Sequence, residues 1–170
     1  MRIKVLSLVM ALWVPAAQAQ DTELNTGLAT PVKLGEAPVR FLGRTVYAAT
    51  LYTEGSEQFS WTQPLSLRLD YAYGFTAAQL VKATGREIAR IEGPRPDQAD
   101  LLAKLTPCFH DVRSGDSYVA VAPTADQLSL RLSGQKTCDV THQDVRRRFL
   151  NIWLSPDSQF PRLSKKLRGG

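Results

Sequence analysis

PLSLRLDYAYGFTAAQLVKATGREI, residues 64–88, sets a strand directly before a helix, and its reading decides the fold. In its first half Leu65, Leu67, Leu69 and Tyr71 fall on one side of a period-two pattern, and Ser66, Arg68 and Asp70 on the other. That alternation predicts a strand with one buried face, as in an antiparallel sheet. In its second half Thr76 stands three residues before Gln79, the spacing of a capping box, and Phe75 is placed to staple against Leu80. Leu80, Thr84, Ile88 and Ile91 then recur at helical spacing as an inward stripe, and Gly93-Pro94 stops the helix. Gly85 lies inside it at a cost of ~1 kcal/mol relative to alanine, so another backbone is expected to come close there.

Working outward, a shorter helix is expected from Asp97 through Leu101, Leu102 and Leu105 until Pro107 breaks it. Ser114-Gly115-Asp116 turns the chain into YVAVAP, and DQLSLRLSG alternates again, so these two form a hairpin across Pro123 to Asp126, with KTCDV as a third strand. Thr141 is read as the cap of a long last helix, with Asp144 near its positive end and Val145, Phe149, Ile152 and Trp153 facing inward. Upstream, DTELNTGLATPVKLGEAPV is interrupted by Gly27, Pro31, Gly35 and Pro38, which predicts little regular structure beyond a short first strand. VRFLGRTVYAATLY, residues 39–52, becomes a strand from about Arg44 to Tyr52. The order of strands, helices, strands and helices argues for an α+β domain, an antiparallel sheet with helices mainly on one face, rather than a doubly wound parallel sheet.

The chain has 170 residues and a formal net charge of +5. Its first 19 residues carry Arg2 and Lys4, an apolar run from Val5 to Val14 and the small residues Ala17 and Ala19, the parts of a secretory signal cut after Ala19. An amino-terminal anchor is the other reading, but the run is well short of the ~20 residues of a bilayer span. Residues 20–170 are then one domain with one core, periplasmic or secreted, with no stable membrane span. Cleavage removes Arg2 and Lys4 and no acidic residue, so the charge falls from +5 to +3. A balance that mild points to no nucleic-acid partner, and Arg146-Arg147-Arg148 and the tail RLSKKLRGG are read as solvated helix faces.

Cys108 and Cys138 form an even pair in an exported chain, for which a disulfide is expected, two free buried thiols being the alternative. No metal site is expected, because two Cys and two His at unrelated spacings match no ligand pattern. No cofactor is expected either, since the sequence holds no Gly-rich phosphate loop and no dinucleotide fingerprint. His142 is expected to be exposed. His110 stands beside Asp111 as a conceivable oriented base, but without a GxSxG-type nucleophile.

Four stretches in order, GEAPVRFLGRTVYAATLY, PLSLRLDYAYGFTAAQLVKATGREI, SGDSYVAV and RRRFLNIWLSPDSQFPRLSKKLRG, resemble the bacterial exported branch of the chalcone-isomerase-like proteins and cover most of residues 35–169. The resemblance implies a chalcone-isomerase-type fold, a curved antiparallel sheet with helices on one side and a ligand cleft between them. Plant isomerases of this family close a flavanone ring with an arginine and a set of hydroxyl and amide contacts. Non-catalytic members bind fatty acids with an arginine and a tyrosine on the carboxylate. Carried over, the tyrosine is Tyr47 and the arginine Arg40, with Arg44 as fallback. The expected function is non-catalytic binding of a small amphipathic or carboxylate ligand such as a fatty acid. The alternatives are an intramolecular lyase of the chalcone isomerase type and a ligand-free, partner-binding protein.

Overall fold

The computed structural model describes residues 26–170, so the expected signal segment, residues 1–19, lies outside the described residues. Six strands form one antiparallel sheet in the order of the sequence: β1 (Pro31–Phe41), β2 (Arg44–Glu54), β3 (Leu65–Tyr71), β4 (Ser117–Ala122), β5 (Gln127–Leu132) and β6 (Gln135–Thr141). Between β3 and β4 come α1 (Ala77–Glu92), α2 (Gln98–Leu105) and a single 3-10 turn, Thr106–Cys108; after β6 come α3 (Val145–Leu154) and α4 (Pro161–Leu167). This is the α+β, chalcone-isomerase-type fold expected from the sequence.

The strand-helix unit forms as its pattern dictates. Leu65, Leu67, Leu69 and Tyr71 are buried, and opposite them on β2 lie Thr53, Leu51, Ala49 and Tyr47. Facing pairs share one side of a sheet, so these residues make the surface on which the helices rest. Ile88, Leu105, Phe149, Leu150, Leu154 and Leu167 complete the same core from the helices. Thr76 and Gln79 make the reciprocal capping box, the Gln79 amide donating to Thr76 Oγ1 at 3.3 Å and the Thr76 amide to Gln79 Oε1 at 2.8 Å. Asp111 Oδ1 accepts the Ala77 amide at 2.8 Å, so Asp111 serves this helix start and not His110. Gly85 is not met by a backbone: a Cβ there would stand 3.2 Å from the Leu102 side chain, which packs α2 against α1.

On the opposite face of the sheet Leu28 covers Val119 and Val121 beside Tyr52. Gly27 makes that crossing possible, with φ of 68° and no room for a Cβ above Val121.

The expectations for the lead-in, for Thr141, and for the arginine run with His142 are corrected. The lead-in, expected to hold no more than a short first strand, forms an eleven-residue edge strand, β1. Its Pro31 and Pro38 are tolerated because an edge strand leaves one row of amides without a sheet partner, and its glycine answers to packing: a Cβ on Gly35 would lie 2.2 Å from the Lys166 carbonyl oxygen at the end of α4. β1 also carries irregularities between Lys33 and Gly35 and between Val39 and Arg40. Second, Thr141 ends β6 instead of capping a helix; α3 starts after Asp144, which sits in the left-handed region with φ of 53°.

Third, the arginine run is not a solvated face. Arg146 and Arg148 are 7% and 3% exposed. Arg146 Nη1 donates to the Gln63 carbonyl at 2.8 Å, Arg147 lies over the Trp61 ring, and Arg148 forks onto Glu92 at 2.8 and 2.9 Å while also donating to Asp97 at 2.9 Å. His142, expected at the surface, is buried in the same network, with Nδ1 3.3 Å from Arg148 Nη1 and Nε2 3.5 Å from Asp100. Buried charges persist where they find partners, and these partners come from the β2–β3 loop, the end of α1 and the start of α2.

Cys108 and Cys138 form a disulfide that ties the 3-10 turn to β6, with Cα atoms 5.1 Å apart.

Candidate functional site

Between the sheet and the helices lies a cavity of about 200 Å³. Its floor comes from β2 to β5: Tyr47, Leu67, Leu69, Tyr71, Tyr118, Ala120 and Leu130. Its roof is the face of α1 from Gln79 to Glu87, the α3 side chains Phe149, Ile152 and Trp153, and the turn residues Gln159 and Phe160. The register places it toward one end of the sheet, because β3 finishes at Tyr71 opposite Tyr47 and the chain turns there through Gly74 into α1. Phe160 lines the cavity and is 39% exposed, which marks a way in.

Aromatic rings build most of the wall. Tyr47 and Tyr71 lie 5.6 Å apart by ring centroid, Tyr71 and Phe75 5.9 Å, Phe109 and Tyr118 6.0 Å, and Phe149 and Trp153 5.5 Å. Rigid rings at these spacings hold space open where flexible aliphatic chains would fill it.

Few polar groups face this space, and their states differ. The Trp153 indole N–H donates to the Tyr47 hydroxyl at 2.9 Å, and no acceptor for the Tyr47 proton lies among the described residues. Burial pushes the Tyr47 phenol up to about 12, against the pull of the Trp153 hydrogen bond and with help from the Glu87 charge. Tyr71 is raised as well, by burial first and then by Tyr47 and Tyr118. Both are therefore neutral hydroxyl donors at neutral pH. Tyr118 is already committed, accepting the His110 amide at 2.7 Å and donating to the Cys108 carbonyl at 3.1 Å.

Glu87 is 6% exposed and would repel an anion, but Arg90 grips both of its oxygens at 3.0 and 2.6 Å and the Gln159 amide approaches at 3.3 Å. Arg86, also on the lining, is exposed and makes no ion pair among the described residues. The cavity thus offers an apolar body, the uncommitted phenolic protons of Tyr47 and Tyr71, and one unpaired cation. The lining holds no Ser, Cys or His, and among the described residues no group of three His, Cys, Asp or Glu side chains is placed to hold a metal.

Tyr47 lines the cavity; Arg40 does not. The irregularity after Val39 brings Arg40 opposite Thr45, which shares the helix-bearing face with Tyr47, but Arg40 is exposed at the far end of β1, and Arg44 is exposed at the start of β2. Arg86 escaped notice in the sequence because it lies between the core positions Thr84 and Ile88. Gln79, Ala83 and Arg86 follow one another at helical spacing beside the apolar stripe, and that pattern was the available signal. Trp153, expected in the core, is both core and cavity wall.

No protein-family model matches the sequence, and no curated protein matches it. Among solved structures, a fatty-acid binding protein of Arabidopsis thaliana shares the fold with a TM-score of 0.65 at 14% identity, over 83% of this chain and 88% of that one.

Proposed function

We propose that this protein is an exported, non-catalytic binder of a small amphipathic carboxylate, of the fatty-acid class, held with its chain among the aromatic rings and its carboxylate on Tyr47 and Arg86. The observation that carries the reading is the cavity itself: an apolar, aromatic space whose one acidic wall residue, Glu87, is already neutralised by Arg90, leaving neutral phenols and the free guanidinium of Arg86 for an anion. The shared fold with a fatty-acid binding protein agrees with it. At roughly 30 Å³ per water-sized group, about 200 Å³ takes a short acyl chain whole, and a longer one extends past Phe160. The disulfide supports export, because such bridges persist outside the reducing cytosol.

Native mass spectrometry after mild purification tests the reading. The expected result is a copurifying carboxylate, lost on Tyr47→Phe and on Arg86→Ala. Arg40→Ala decides the headgroup's place: retention after loss of Arg40 assigns the anion to Arg86, and loss of ligand only in the Arg40 variant moves it to the open end of the sheet. A protein that copurifies with no carboxylate and takes up no added fatty acid refutes the proposal.

A further inference from the structure

The β1–β2 hairpin ends in Arg40-Phe41-Leu42-Gly43-Arg44, and its two apolar side chains are the most exposed large ones among the described residues, Phe41 at 66% and Leu42 at 87%. Folding does not account for them. Leu42 and Gly43 are the two central residues of a tight hairpin turn with φ of 48° and 78°, a geometry for which Asn-Gly is favoured and which a leucine rarely adopts. A leucine here touches no core and occupies a backbone state that disfavours it, so its value to the molecule lies outside the fold.

The flanking charge says what the tip meets. Arg40 and Arg44 are exposed and make no ion pair among the described residues, and residues 37–53, the hairpin around them, contain no Asp or Glu. An exposed aromatic and an aliphatic side chain between two free guanidinium groups match the boundary of an anionic bilayer, where apolar groups enter the acyl region and cations stay among the phosphates. No helix of the described residues is long and apolar enough to cross a membrane, so such an association is peripheral. The register adds direction: Tyr47 and Tyr71 stand at the end of the sheet where this hairpin projects, so the tip and the cavity share that end.

We propose that the Phe41–Leu42 tip docks this protein on anionic lipid surfaces, and so brings the cavity to the membrane. The docking rests on the tip alone and does not require the cavity to hold a fatty acid.

Cosedimentation of the full chain with phosphatidylcholine vesicles, with and without phosphatidylglycerol, tests it. The comparison is with a Phe41→Ser/Leu42→Asn variant, which suits the turn and leaves the core untouched; any affinity from residues 1–19 is common to both chains. The wild type is expected to bind the phosphatidylglycerol vesicles, with binding weakened by salt. The double variant is expected to lose about tenfold or more, and Arg44→Gln about fivefold. Its melting temperature and any copurifying ligand should be unchanged, which separates this result from a failure of the ligand reading. Equal binding by wild type and double variant, no binding by the wild type, or a dimer that the double variant abolishes would each overturn the proposal.

Discussion

Replacing Arg148 by methionine keeps most of the side chain's volume and removes its charge from a place where water cannot substitute for it. The Arg148 side chain is 2% exposed and that of Glu92 is 9%; after the change Glu92 retains, among the described residues, only the cation of Arg95, whose Nε stands 3.9 Å away. Asp97, about a third exposed, adds less because solvent screens it. Breaking a buried pair from one side costs about 3–5 kcal/mol, most of it the penalty of the stranded charge. At about 2–4 °C per kcal/mol for a domain near this size, the melting temperature should fall by roughly 6–20 °C. Urea denaturation under oxidising conditions measures the cost directly. The mechanism makes a second demand: adding Glu92→Leu to Arg148→Met should restore much of the loss, because the stranded carboxylate is gone. A single substitution costing under about 1 kcal/mol, the scale of a surface pair, or a double variant no better than the single one, would refute the account of the arginine run as a buried clamp.

Opening the Cys108–Cys138 bridge, which spans 30 residues, should cost about 3.5 kcal/mol in the chain-entropy account, measured as a lower melting temperature of the reduced protein; an unchanged melt argues against it. Acid should destabilise the fold through Glu54, held low by Thr30, through Asp116, held low by the Arg113 amide and the Ser133 hydroxyl, and through Asp97, where Arg95 and Arg148 overcome the opposing effect of burial. Their folded values lie below the ordinary 4.5 and 3.8, so their stabilisation is present above that range and lost as pH falls through it; denaturation from pH 8 to 3 should be flat before it drops. In the alkaline range the sign reverses: Tyr47 favours the fold below its unfolded value of 10.0 and loses that effect as pH rises toward about 12. A phenolate absorbance titration should therefore show a late step that Tyr47→Phe diminishes by one phenol, Tyr71 still ionising late, and a wild-type titration with every phenol ionising near 10 would contradict the burial of Tyr47 and Tyr71.

The legible parts of the sequence are those whose causes are local. The β3–α1 unit announces itself through alternation and a capping box spanning four residues, and the β4–β5–β6 meander through turns of Gly, Pro and Asp. β1 was hidden because Gly35 and Pro38 carry two meanings, and only the approach of α4, some 130 residues later, tells a close contact from a break. Arg148 and His142 were misplaced for the same reason: their partners Glu92, Asp97 and Asp100 lie on distant elements, and without them a charge belongs at the surface. The cavity has no sequence signal of its own. It arises from rings contributed by seven separate segments, and the resemblance that led to Tyr47 and Arg40 located one wall of it and missed Arg86.

The sheet never closes into a barrel, so β1 and β6 each present an open row of backbone groups to which another chain could add. β1 answers with two prolines that lack an amide and two irregularities that break its register, and β6 with Lys136 beside its own irregularity against β5. These features, costly to regular pairing, make each border a poor template for a neighbouring strand. The consequence holds wherever the chain folds: strand-by-strand growth into fibrils has no straight edge on which to begin.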